Sequence, residues 1–410
     1  MQTKFIPEEE VTFFEESEEQ DIDSYSPIDH ESELKKISKV VVMGTDWTTA
    51  TIFDQMVREN IQLNPRFQRR DAWDITRKSR FIESLILGFP VPQIVLAEKE
   101  RGKFIVLDGK QRLLTILQFY GSSETPNNAF ALRNLEFRTD MNNYRYEDLK
   151  SHLFLSGEMD HLDNQPIRTI VLRNVNSENL LYKIFLRLNL ESTPLSPQEI
   201  RQALHPGEFI NFLDDQSIKS QALKKIFKSK NPDFRMRDVE LLLRYVGFHY
   251  FLPEYRGNLK AFMDMTCKTL NKNWDKVHND VENVVNQFDM AVQTTINIFS
   301  EQNFSRMWLS NERTYRTRFN KAILDVMVFY FSDETIRQSA EEHKQEIAEA
   351  FKRLCSSNKQ FREGVEGTTK NITETYNRLR LWGESLLEVL GIEFNIPELV
   401  DNRIIFNGFR

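Results

Sequence analysis

The pentapeptide Asp108-Gly109-Lys110-Gln111-Arg112 gathers a carboxylate, a glycine, an amide and two cations directly after an apolar run, Phe104-Ile105-Val106-Leu107. If that run is a strand and the following residues a helix, the turn between them exposes backbone N–H groups that have no intrahelical partner. The helix dipole adds positive potential at the same place. Such a turn can accept an anion, with Lys110 and Arg112 adding charge beside it. Asp108 offers the hard oxygen that Mg²⁺ or another divalent cation prefers. Gln111 brings a donor and an acceptor that can orient a water or read a base edge. Together these are parts for holding a metal–nucleotide. The same five residues also fit an Asp-Gly turn with a capping carboxylate and two solvated cations.

A second group lies upstream. Asn64-Pro65-Arg66-Phe67-Gln68-Arg69-Arg70 concentrates three arginines and two amides on a short segment. Guanidinium forks match phosphate oxygens in bidentate fashion, and an exposed basic loop is the plainer reading of the same residues. Pro65 fixes its own φ and pushes Asn64 away from helical geometry, so Ile61–Arg70 is expected to be extended.

The elements that must position these groups follow from pattern. The apolar run Val40–Met43 leads into a helical period through Ile52, Phe53, Met56 and Val57. Thr76 is expected to cap a helix carrying Phe81, Ile82, Leu85 and Ile86, with Gly88 closing it and Pro90 forbidding continuation. Gln93–Ala97 and Lys103–Leu107 read as a β-hairpin around the polar Glu98–Gly102. The helix after Asp108-Gly109 carries Leu113, Leu114, Ile116, Leu117 and Phe119 and ends at Gly121. Ala129–Leu132 and Leu135–Phe137 look strand-like, as does Ile167–Leu172, and a helix is expected from about Glu178 to Leu190. From Ser196 onward helical periods dominate: Pro197–Ala203, Glu208–Asp214, Ser217–Phe227, Asp238–Phe251, Leu259–Phe299, Thr317–Phe331, Glu334–Ser356 and Thr368–Gly391. The fold class expected is α+β, with an acidic leader over 1–37, an α+β domain over 38–176 and a helical domain over 177–410.

Charge patterning qualifies the average. The 410 residues carry 54 Lys+Arg against 61 Asp+Glu, a net charge of -7. Met1–Lys35 holds 12 of those acids and 2 of the bases, which leaves 49 acids against 52 bases in the rest. The leader has the composition of a disordered extension, or of a mobile mimic of DNA lying over a basic groove. The two cysteines, Cys267 and Cys355, fit no zinc or redox spacing. No apolar run is long enough to span a bilayer and no signal peptide is evident, so the expected location is cytoplasmic.

With these residues in place, the chain resembles the N-terminal domain of GmrSD-type restriction endonucleases, a ParB/sulfiredoxin-like fold marked by a DGQQR motif. The likeness is carried in order by Asn64-Pro65-Arg66-Phe67-Gln68-Arg69, then Trp73, Glu83–Gly88, Phe89-Pro90-Val91-Pro92-Gln93-Ile94 and Asp108–Thr115. Phe185-Leu186-Arg187-Leu188-Asn189 and Thr193–Arg201 continue it. The resemblance implies a nucleotide-responsive module of bacterial anti-phage defence, in which nucleoside triphosphate binding or hydrolysis controls DNA cleavage. By the same likeness Asp108 would be the essential acid and the metal-holding oxygen, and Arg112 the phosphate-facing cation. Gln111 would orient the water or phosphate, Gln68 and Arg69 would form the facing wall, and Gly109, Lys110, Arg187 and Asn189 would line the nucleotide. Lys110 stands where the motif has its first Gln, which puts a role for that amide in question.

The nuclease itself is not evident in the sequence. The seven histidines, at 30, 152, 161, 205, 249, 278 and 343, include no adjacent pair and no His-x-x-Pro, so no His-Asn-His nuclease domain is expected. A Walker loop, a GxSxG elbow and HExxH are also missing. Arg235, Arg237, Arg244, Arg313, Arg316 and Arg318 could line a phosphate-tracking groove, or be ordinary surface. The expectation is a nucleoside triphosphatase, or nucleotide-binding sensor, with Mg²⁺ or another divalent cation. Its partners would be DNA, directly or through a nuclease, and further copies of itself, with no membrane. The rival expectations are a non-catalytic clamp for DNA or a partner protein, and a nuclease or nickase in its own right.

Overall fold

The computed structural model describes residues 38–62, 73–121, 129–175, 196–366 and 371–409, together with positions 180, 181, 184, 187 and 188. The acidic leader, Gln68, Arg69 and Asn189 lie outside the described residues, as does most of the segment expected to be a helix from Glu178. By internal contacts the chain divides into Pro27–Leu204 with Phe234–Met236, and His205–Asp233 with Arg237–Arg410. By this division the boundary falls after Leu204.

The first unit is built on a five-stranded mixed sheet of order β1-β5-β3-β4-β2, with β1 Val41–Thr48, β2 Ile61–Gln62, β3 Ile94–Glu100, β4 Lys103–Asp108 and β5 Pro166–Arg173. β1 and β5 are antiparallel over eight residue pairs, β3 and β4 are antiparallel, and β3–β5 and β2–β4 are parallel. Both strands of the central hairpin bury successive residues, Ile94–Ala97 and Phe104–Leu107, as strands covered on both faces must. The hairpin is longer and tighter than expected. Glu98-Lys99-Glu100 belongs to β3, and the chain reverses at Arg101-Gly102, where Gly102 takes φ 76°.

Helices α1 Thr49–Val57, α2 Ile75–Ile86, α3 Lys110–Tyr120, α4 Tyr146–Ser151, α5 Ser156–Asn164 and α6 Pro197–Leu204 complete the unit. The cap of α2 is Asp74, whose carboxylate accepts the Arg77 N–H at 2.7 Å. Thr76, the cap expected from sequence, instead bonds the Asn134 amide at 2.9 Å. At the other end Gly88, with φ 70°, gives a Schellman closure: Phe89 N–H to Ser84 C=O at 2.8 Å and Gly88 N–H to Leu85 C=O at 3.2 Å. One core joins Ile52, Ile82, Leu85, Leu96, Leu113, Ile116 and Ile167, all buried. Truncating such a side chain to alanine costs about 2–5 kcal/mol.

Ala129–Leu132 and Leu135–Phe137 do not join the sheet. Glu83, 3% exposed, turns its carboxylate onto the backbone N–H groups of Glu136, Phe137 and Arg138 at 3.0, 2.7 and 2.7 Å. A side-chain acceptor thereby satisfies donors that a strand partner would otherwise have taken.

The second unit is helical: α7 Glu208–Lys219, α8 Gln221–Phe227, α9 Arg237–Phe251, α10 Leu259–Lys272, α11 Trp274–Phe299, α12 Lys321–Phe331, α13 Glu334–Glu342, α14 Lys344–Ser357, α15 Lys359–Glu366 and α16 Ile372–Leu390. Two small hairpins accompany them, β6 Trp308–Leu309 with β7 Thr314–Tyr315, and β8 Glu398–Val400 with β9 Arg403–Ile405. Every residue of α9 from Asp238 to Phe248 is buried, so its charged residues need internal partners. Glu240 meets Lys321 at 3.0 Å, and Arg244 grips Asp325 through Nε at 2.7 Å and Nη2 at 2.5 Å. The periods expected as single helices over Leu259–Phe299 and Glu334–Ser356 are each broken, at Asn273 and His343.

Candidate functional site

The turn from β4 into α3 is shaped by a bulge. Val95 pairs with Asp108 while Leu96 pairs with Val106, so Leu107 is an extra residue that re-aims the strand end just before the carboxylate. Gly109 then adopts φ 96° and ψ 12° as the residue preceding α3, and no side chain caps the helix. That left-handed geometry favours glycine, and space demands it as well. A Cβ at this position would sit 3.1 Å from Ile94 Cγ1 and 3.3 Å from Arg112 Nη2.

Asp108 and Arg112 close over this glycine. One Asp108 oxygen accepts the Gly109 N–H at 2.7 Å, and the other accepts Arg112 Nη2 at 2.9 Å. The same Nη2 donates to the Gln93 carbonyl at 3.0 Å. The Asp108 side chain keeps 30% of its surface exposed and that of Arg112 13%. The cation expected to face a phosphate is therefore folded back along the strand end in this state. Among the described residues two polar atoms on successive residues are buried without a hydrogen-bond partner, Gln111 Oε1 and Arg112 Nε. Native proteins rarely leave such atoms unpaired. The N–H groups of Lys110, Gln111 and Arg112 precede the first intrahelical bond, Leu113 N–H to Gly109 C=O at 2.9 Å.

Lys110 departs from its expected place. Its ammonium is 2.9 Å from Glu199 Oε1, and the two side chains are only 8% and 7% exposed. Glu199 is itself tied into a capping box on α6. Its other oxygen accepts the Ser196 N–H at 2.9 Å, and Ser196 Oγ accepts the Glu199 N–H at 3.1 Å. Lys110 thus anchors the start of α3 to the start of α6 and does not stand beside the turn as a solvated cation. Glu199 had no assigned role in the sequence; the Ser196-x-x-Glu199 spacing signals its cap, while nothing local signals its long-range partner.

Arg187 is exposed at a helical position and makes no ion pair among the described residues. Three of the six helical arginines are paired: Arg237 with Asp233 at 2.6 Å, Arg244 with Asp325, and Arg316 with Glu366 at 2.5 Å. Among the described residues no group of three His, Cys, Asp or Glu side chains is placed to hold a metal ion. Each oxygen of Asp108 accepts one hydrogen bond and the side chain is 30% exposed, so a divalent ion at its remaining lone pairs would compete with Arg112 for the carboxylate. The donor set suits Mg²⁺ carried in on phosphate oxygens, to which a single carboxylate suffices, and not a cation caged by the protein. No described helix is long and apolar enough to cross a membrane.

Residues 50–206 match the family model described as GmrSD restriction endonuclease, N-terminal domain. The chain carries a GmrSD-type N-terminal domain. The match spans α1 through α6 and stops two residues beyond Leu204, where the internal contacts also divide the chain. Sequence likeness and packing therefore mark the same end of the GmrSD-type domain. Searches of curated proteins and of solved structures each gave no match. The matched residues include the turn Asp108–Arg112 and Ser196–Arg201, the element that Lys110 grips.

Proposed function

We propose that this chain serves a restriction-type defence function against foreign DNA, and that its GmrSD-type domain is a nucleoside triphosphate sensor whose switch is the Asp108–Arg112 pair. The family of residues 50–206 supports the restriction-related role. One observation carries the nucleotide reading: among the described residues Gln111 Oε1 and Arg112 Nε are buried and unpartnered at the amino end of α3, behind a glycine whose geometry leaves the turn without a side-chain cap.

Without ligand, Asp108 holds Arg112 against the Gln93 carbonyl. A phosphate arriving at the N-terminus of α3 meets the N–H groups of the helix's first turn and competes with Asp108 for the guanidinium. Release of Arg112 would satisfy its Nε and free one oxygen of Asp108 for a phosphate-bound Mg²⁺. Gln111 would then orient a water or a phosphate oxygen. Lys110 stays with Glu199 throughout and keeps the turn rigid. Bound Mg²⁺ would supply charge neutralisation of the phosphates.

The test incubates the full chain with each nucleoside triphosphate and Mg²⁺, with and without DNA, and reads phosphate release, nucleotide binding, DNA retention and strand breakage. The reading expects nucleotide binding that weakens at least tenfold, about 1.4 kcal/mol, in Asp108→Ala/Arg112→Ala. DNA retention with no nucleotide binding would favour a clamp, and strand breakage by the chain alone would favour a nuclease.

A further inference from the structure

The helical unit holds a cavity of about 190 Å³. It lies between α9, α12 and the segment Phe406–Phe409 that follows β9. Its walls are aromatic, formed chiefly by Tyr245, Phe248, Phe329, Phe406 and Phe409, with His249 exposed at the rim. The rings of Phe329, Phe406 and Phe409 pack on one another at centroid distances of 4.8 to 5.4 Å. Asn395 pins the closing segment, its N–H to the Phe409 carbonyl and its Nδ2 to the Gly408 carbonyl, both at 3.0 Å.

Two polar groups in the lining bear on what this space can take. The Tyr245 hydroxyl lines the cavity on a residue only 5% exposed; Ser332, on the same wall, is the side chain that interacts with it, and no hydrogen bond of good geometry reaches it among the described residues. Asp325 also lines it, already held by Arg244 and Arg378, whose side chains are 2% and 1% exposed. Size limits the occupant: an apolar cavity of about 150 Å³ takes one benzene-sized ring, so this one takes a single six-membered ring with a substituent.

Charge then decides between the two ligand classes that aromatic walls attract. A cage of rings suits a cation when its counter-charge is free. Here Asp325 is already engaged by two arginines and is not left as a counter-charge for a bound cation, and Arg244 already lies 5.9 Å from the centroid of the Phe248 ring. A cation is therefore disfavoured. We infer that this cavity is a binding site for a small planar aromatic ring, neutral or anionic, that bears a hydrogen-bonding group for the Tyr245 hydroxyl, with Phe406–Phe409 as its closing strap.

The experiment titrates benzamide, benzoate and benzylammonium, with cyclohexanecarboxylate as the non-aromatic control, into the full chain, followed by ligand-observed NMR and calorimetry. Benzamide and benzoate are expected to bind, with benzylammonium and the saturated ring at least tenfold weaker. Phe409→Ala should weaken benzamide at least tenfold and Tyr245→Phe several-fold. Val328→Trp, which fills the cavity, should abolish binding. Circular dichroism and the thermal midpoint verify that each variant is folded, and a variant that does not fold is replaced by Phe406→Ala with the same expectation. Absence of binding by both aromatic probes overturns the inference. So does benzylammonium binding as well as benzamide, or folded strap and cavity variants that bind like the parent.

Discussion

Two aspartate–arginine sites show how one chemistry serves different ends in the two units. At the end of β4, Asp108 shares its carboxylate between one guanidinium and its own neighbour's N–H. It keeps nearly a third of its surface in solvent, and beside it Gln111 Oε1 and Arg112 Nε have no partner among the described residues. On α12, Asp325 is 9% exposed and sits between two arginines that are almost fully enclosed. The first pair is open to competition from a stronger anion. The second would leave uncompensated charge in the interior if it were broken, so it holds its surroundings together. Exposure and the number of partners, more than residue type, separate a displaceable pair from a structural one.

The comparison breaks most visibly at Asp325. Asp325→Ala strands Arg244 and Arg378 in the interior and is expected to cost about 3–5 kcal/mol, read as a lower urea midpoint. A loss below about 1 kcal/mol would deny the pair its structural role.

Lys110 is next, because it places a buried structural pair directly beside the displaceable one. Lys110→Met should cost about 3 kcal/mol by leaving Glu199 unpaired, and Lys110→Met/Glu199→Met should recover most of that loss. Nucleotide affinity of the double variant, once folded, should stay near the parent's. A double variant as unstable as the single one would show that the cost is packing and not charge.

Gly109→Ala tests the open site. Its backbone strain of about 1–2 kcal/mol comes with displacement of Arg112 from above the turn, so denaturation should show that loss while the Arg112–Asp108 bond weakens. Stability equal to the parent's would mean that the turn relaxes freely.

The smallest effect concerns Glu374, beside the buried cluster. Burial raises its pKa above the ordinary 4.5, against the pull of Arg378. A carboxyl whose folded pKa is raised penalises the fold above that pKa and not below the unfolded one. Glu374→Gln should therefore stabilise slightly at neutral pH, with the gain fading as pH falls towards 4.5. A gain that persists in acid would assign the effect to something other than charge.

Much of the site's frame was legible before the structure. The β3–β4 hairpin, α2, α3 and β5 announce themselves by short apolar runs, helical periods and glycine stops, because their local preference and tertiary fate agree. The turn at Asp108-Gly109 was legible for the same reason, as a glycine between an apolar run and a helical period. What escaped depends on residues far apart in sequence. Lys110 and Glu199 are 89 positions apart, and Glu83 takes the amides of Glu136–Arg138, so an apparently strand-like stretch needs no strand partner. Periodicity runs through Asn273, since α10 and α11 both carry apolar stripes. The break there is made by side-chain chemistry, the Asn273 amide bonding the Thr269 carbonyl at 2.8 Å. The aromatic cavity draws on α9, α12 and the segment after β9, and no single window of sequence contains it.

The central claim is that the Asp108–Arg112 pair is a nucleotide-controlled switch. Equilibrium binding of a nucleoside triphosphate with Mg²⁺ to the full chain and to folded Asp108→Ala/Arg112→Ala tests it most directly. The account predicts measurable binding by the parent and at least a tenfold loss in the double variant; equal affinities in the two proteins, or no binding by the parent to any triphosphate, would contradict it.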